Sequence, residues 1–232
     1  MPRPRSDIAP RIVHAARKRF LVEGVDGASL RAIARDAGTS IGMVYYYFPN
    51  KDELFLAVIE EVYVALLEDL EKLLARDRPV ADRVRNLFAR LGALDDRETH
   101  MLRLVIREAL GSPIRLARLL RRFQRGHIPL LLALVQDGIA ARLFRPDVPL
   151  GLLVAALGAL AGPAQAVLGL MESRLPPRSL PPPEARADAL VDALLNGIGA
   201  PPDTQRRAQP GLATRRTKGR AQRGFATRSE RL

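Results

Sequence analysis

Two short apolar runs flank Ala37-Gly38-Thr39, and they constrain the fold more than any other stretch of the chain. Ser29 stands in N-cap position before LRAIARDAG, whose Leu30, Ile33, Ala34 and Ala37 share one face. Gly38 breaks that helix, and another is expected from Ile41 to about Tyr47. A helix-turn-helix needs a small residue where its two helices approach. It also needs a turn residue that tolerates left-handed φ, and an apolar residue that locks the second helix onto the first. Ala34, Gly38 and Val44 supply all three in that order. The outer face of the second helix is then free to enter a DNA major groove.

The flanking pattern is helical throughout. From Ile8 to Val22 the periodicity puts Ile12, Ala16 and Phe20 on one face, with Gly24 following as a C-cap. Pro49-Asn50 is a turn, with Asn50 as N-cap and Glu53 at N3. A long helix is expected from Lys51 to about Leu74, striped by Leu54, Val58, Val62, Ala65 and Leu66. Further helices are expected near Val80–Leu94, Glu98–Leu110 and Leu116–Ala141, the last bent at Pro129. Leu150 to Met171 is almost wholly apolar, and Glu184 to Ile198 reads as a final amphipathic helix after a proline-rich loop. Leu, Ala and Arg dominate while Val, Ile and Thr are sparse, a balance that favours helix over sheet. The expected fold is therefore all-α. It divides into a head at 1–50, a helical bundle at 51–199, and a basic tail at 200–232. The tail is too poor in apolar residues to offset ordering and reads as disordered.

The net charge of +12 suggests a polyanion as partner, but it is uneven. Nine basic residues after Pro201 face only Asp203 and Glu230, so the folded part is mildly basic. The tail could add non-specific phosphate binding. With no cysteine, disulfides, thiol catalysis and Cys-ligated zinc are excluded. His14, His100 and His127 lie far apart with no carboxylate at ligand spacing, so no metal is expected. No catalytic constellation or phosphate-binding glycine loop is present, which argues against an enzyme and a cofactor. MPRPRSDIAP carries no secretory pattern, which makes the cytoplasm the default.

Residues 8 to 60 closely resemble the N-terminal region of the TetR family of regulators. The resemblance rests on Ile12, Ala16, Phe20, Gly24, Ser29, Ile33 and Ala34, and on the run from Ala37-Gly38 through Ser40-Ile41-Gly42-Met43-Val44-Tyr45-Tyr46-Tyr47-Phe48-Pro49-Asn50-Lys51-Asp52-Glu53-Leu54. It implies a ligand-responsive homodimeric repressor on double-stranded DNA with a palindromic operator. Val44 and Phe48 would be core. Tyr45 would touch base or phosphate, Tyr47 phosphate, and Lys51 phosphate at a helix start. Arg31 is the candidate for a guanine edge. Ser40, Ile41, Met43 and Tyr46 complete the expected DNA surface, with Ile41 and Met43 offering methyl contacts but few hydrogen bonds. An unknown small apolar effector would bind within the bundle, for which Phe88, Met101, Val105, Phe123, His127 and Gln165 are the candidates. The helices at 150–171 and 184–198 would form the dimer interface.

Two features invite other readings. Val148–Met171 is long enough for a membrane span of about 20 residues, and Gly158 and Gly162 have the spacing of a close-packing motif. A single-span anchor is the alternative reading. Pro163 and basic flanks on both ends favour a buried dimer helix instead, with no membrane partner. Arg103, Arg107, Arg115, Arg118, Arg121, Arg122 and Arg125 form a basic run that reads as a solvated face, or else as a site for an anionic ligand.

Overall fold

The computed structural model describes residues 7–171, 176 and 180–196, and all regular structure among them is helical. Residues 1–6, the end of the last expected helix and the tail at 200–232 lie outside the described residues. The elements are α1 (Ile8–Gly27), α2 (Leu30–Asp36), α3 (Ile41–Tyr47), α4 (Lys51–Leu73), α5 (Val80–Gly92), α6 (Asp96–Gly111), α7 (Pro113–Phe123), α8 (His127–Ala140), α9 (Leu150–Ala159), a π-helical turn at Leu160–Ala164, α10 (Gln165–Met171) and α11 (Pro183–Asn196).

The caps fall where the side chains invite them. Ser29 Oγ accepts from Ala32 N at 3.4 Å, and Ser40 Oγ from Met43 N at 3.3 Å. Asn50 Oδ1 accepts from Glu53 N at 2.9 Å. Each satisfies a backbone donor that the helix start leaves unpaired. Gly38 has φ +62°, and Thr39 N and Gly38 N return to Ala34 O and Arg35 O at 3.0 Å each, closing α2 as a Schellman turn. Gly24 has φ +76° and ψ 167° and interrupts α1, so Val25, Asp26 and Gly27 form a separate final turn.

Ile12, Ala16 and Phe20 are fully buried, as are Ile33 and Val44, and α1 packs on α2, α3, α4 and α6. Leu54, Phe55, Val58 and Ile59 carry this core along α4 into the bundle, where Leu87, Phe88, Leu104 and Leu134 continue it. Helices α1 to α11 together make one compact unit.

The expected helix Leu116–Ala141 is two helices. The break lies at Gln124–Gly126, where Gly126 has φ −130° and ψ −115°. Pro129 sits in the first turn of α8, where its missing N–H costs nothing. A Cβ on Gly126 would stand 2.2 Å from the Tyr63 hydroxyl, so close approach of α4 fixes glycine there. The apolar stretch at 150–171 is also interrupted. Pro163 lies inside the π-helical turn, and the Gln165 side chain donates to Ala161 O at 2.6 Å and to Phe88 O at 2.8 Å. This anchors the turn to α5 and buries Leu157, Ala161 and Gly162. Leu150–Gly169 is long and apolar enough to cross a membrane, yet it packs against α5 and α8 as a bundle helix.

Candidate nucleic-acid interface and effector cavity

Helix α3 has two faces of different character. Val44 is fully buried, and Ile41 and Tyr47 are half-buried against the core. Gly42, Tyr45 and Tyr46, three and four residues apart, form the open face, with Tyr45 53% and Tyr46 77% exposed. Ile41, expected at the groove, thus belongs to the inner side. Its spacing of three from Val44 turns both the same way. Met43 is half-buried at the margin. Tyr47 meets the edge of Tyr46 with ring centroids 5.1 Å apart, and Phe48, expected in the core, is half-buried. Ser40 is occupied as the N-cap of α3.

Arg31 lies exposed at the start of α2, and no hydrogen bond or ion pair holds it among the described residues. The acid that could have paired with it, Asp36, is taken by Arg19 at 2.7 Å. That contact holds the Asp36 carboxyl below its ordinary pKa. Lys51 Nζ donates to Asp26 O at 2.7 Å, so this lysine ties the start of α4 to the end of α1. Its remaining ammonium hydrogens can still serve a phosphate.

The bundle holds an apolar cavity of about 250 Å³ that is partly open to solvent. Its walls come from α4 to α9 and the π-helical turn, and include Leu66, Leu70, Leu87, Leu91, Ile106 and Leu131. Of the residues expected there, Met101, Val105, Phe123 and His127 line it. Phe88 and Gln165 do not. Phe88 is fully buried in the core, and the Gln165 Nε2 donates to backbone carbonyls of α5 and the π-helical turn. The polar side chains at the wall, Tyr63 and His127, pair with each other. The Tyr63 hydroxyl accepts from His127 N at 3.0 Å and shares a hydrogen bond with His127 Nδ1 at 2.8 Å. Burial, reinforced by repulsion from Arg122, pushes the imidazole down to about 4, so it is neutral at pH 7. Arg122 lies over the Tyr63 ring, 4.6 Å from its centroid, and holds Glu60 through two bonds of 2.7 Å.

The basic run along α6 and α7 is a solvated face only in part, at Arg103, Arg121 and Arg125, which are exposed. Arg107, Arg115, Arg118 and Arg122 bind acids and carbonyls of α1 and α4. Spacing along one helix could not reveal these partners, because they lie more than 60 residues away in sequence. Arg83, 3% exposed, also has partners on other elements, which its own helix does not reveal. It joins Leu74 O at 3.0 Å and Asp137 at 2.7 Å, fastening α5 to α4 and α8.

Residues 12–58 match the family model described as bacterial regulatory proteins, tetR family. An HTH-type transcriptional regulator of Mycobacterium tuberculosis is 38% identical over 78 residues, which is 34% of this chain and 32% of that protein. The HTH-type transcriptional repressor NicS of Pseudomonas putida is 29% identical over 139 residues, 59% of this chain and 66% of its own length. The chain thus spans about a third of the mycobacterial relative and just under two thirds of NicS. The fold is shared with the transcriptional regulator FadR of Bacillus subtilis, solved in complex with stearoyl-CoA. The TM-score is 0.66 and the identity 16%, covering 82% of this chain and 99% of FadR. With the helix-turn-helix, long α4 and helical bundle in place, residues 12–58 of the chain carry the N-terminal region of the tetR family of bacterial regulatory proteins.

Proposed function

We propose that the protein is a homodimeric, ligand-responsive repressor of transcription, acting in the cytoplasm on a roughly palindromic operator. The observation that carries this reading is the divided recognition helix. Val44 is fully buried against the head, while Gly42, Tyr45 and Tyr46 stand open for a major groove. Arg31 and Met43 flank that face, and Ser40, Tyr47 and Lys51 lie at its borders. Docking rests on phosphate contacts from Tyr45, Tyr47 and Lys51, and sequence preference on Arg31.

Two further observations support the dimer and the effector. Leu152, Val167 and Met171 are exposed on α9 and α10, and only 22% of Leu150–Gly169 is buried. A second copy, placed against α9–α10 and α11, would cover this apolar face. The cavity in the bundle suits a small, neutral, largely hydrocarbon effector, because its wall offers no charge and is lined mainly by Leu, Met, Val, Ile and Phe.

Selection of DNA fragments by the purified protein tests the reading. The expected product is an inverted repeat whose half-sites lie about 10 base pairs apart or a multiple of that. Recovery of no enriched sequence, or of single unrepeated sites, would overturn it.

A further inference from the structure

The corner between α6 and α7 grips the head through a buried guanidinium. Arg115, in the first turn of α7, is 6% exposed, and its fork meets carboxylates from three elements. Nε donates to Asp52 Oδ1 at 3.1 Å, in the first turn of α4. Nη1 donates to Glu108 Oε2 of α6 at 2.8 Å and to Asp26 Oδ2 at 3.0 Å, and Nη2 completes the pair with Asp26. Glu108 in turn accepts from Val25 N at 3.2 Å through its other oxygen. Arg107 donates to Leu21 O at 3.1 Å and also to Phe20 O. A guanidinium taken out of water needs its donors matched. Here three carboxylates match it, and Arg107 and Lys51 balance the excess negative charge.

What these groups hold is the final turn of α1, residues Val25 to Gly27, which Gly24 sets off from the rest of that helix. This turn leads directly into α2 of the helix-turn-helix. The same corner also borders the cavity. Helix α6 turns Met101, Leu102, Val105 and Ile106 into it, immediately before Arg107 and Glu108, and α7 contributes Phe123. A displacement of α6 on filling of the cavity would therefore pull on Val25 and Asp26 through Glu108 and Arg115.

We propose that Arg115 is the positioning residue through which occupancy of the bundle cavity sets the placement of the helix-turn-helix. The proposal rests on the effector reading above. Its test uses the full chain, a selected operator fragment, and N-phenylnaphthylamine, a neutral apolar fluorophore, as probe. The probe should bind wild type and Arg115→Met alike. It should weaken operator binding by wild type about fivefold or more, the lower range of ordinary coupling between sites. In Arg115→Met that factor should fall to about one. Asp26→Asn removes the head's end of the same clasp at a side chain that is 83% exposed, so its folding is not at risk, and it should lose coupling too. A clamp of purely structural role would lower stability in these variants and leave the factor unchanged. Full coupling in both variants would overturn the proposal, as would a probe that occupies the wild-type cavity without altering operator affinity. Failure of the effector reading is seen separately. It is a probe that does not bind, or that binds Val105→Trp as well as wild type, and the proposal would then fall with it.

Discussion

His127 is the side chain whose chemistry its surroundings change most. Unfolded, its imidazole takes a proton near pH 6.5. Folded, it does so only near 4, because burial and then Arg122 oppose the charge. The unfolded state therefore binds more protons between those values. The group's stabilising effect is complete above the higher value and is lost as pH falls toward the lower. Between pH 7 and 5 the expected loss is about 2 kcal/mol. Urea unfolding at the two pH values should show a fall of that size in wild type that is absent in His127→Gln. At the proposed DNA surface, Lys51→Ala should weaken binding to every sequence and lower the salt slope by about one. Unchanged binding at all salt concentrations would contradict a phosphate role. Arg31→Ala should relax preference at one base pair, read by repeating the selection. The partners of single side chains were the least legible part of the sequence. Arg115 and Arg122 look like surface charges when only their own helices are considered. Their acids, Asp26, Asp52 and Glu60, come from segments that only the tertiary fold brings near.

Among the elements, those with strong local signals were legible. Ser29, Ser40 and Asn50 cap α2, α3 and α4 as their types suggest, and Gly38 adopts the left-handed turn the motif requires. The break before α8 was not, because Pro129 is the more conspicuous residue and Gly126 acts through its distance from Tyr63. Gly126→Ala should therefore displace the Tyr63 hydroxyl and cost about 1–3 kcal/mol, measured by urea unfolding. Gly24→Ala should cost a similar amount for a different reason, since φ +76° with ψ 167° is a region essentially reserved for glycine. Of the cavity candidates, Met101, Val105, Phe123 and His127 were legible as apolar or aromatic positions on bundle helices. Phe88 and Gln165 share that character, and only packing shows that they face elsewhere.

For the whole molecule, the apolar face of α9 and α10 leads to a prediction about assembly. Leu152→Glu with Val167→Glu should produce monomers in sedimentation without disturbing helix content, because both side chains are exposed. Operator affinity should fall with it, since one half-site then binds alone. The clasp at Arg115 bears on how interchangeable the parts of such a molecule are. Transplanting residues 1–50 onto another regulator's bundle would carry Asp26 away from its guanidinium and leave Arg115 and Glu108 behind in the donor. The two halves of this chain are in that sense a matched lock and key. A chimaera should retain the donor's operator preference and the host's effector, yet respond to that effector only if the host supplies a counterpart of Arg115.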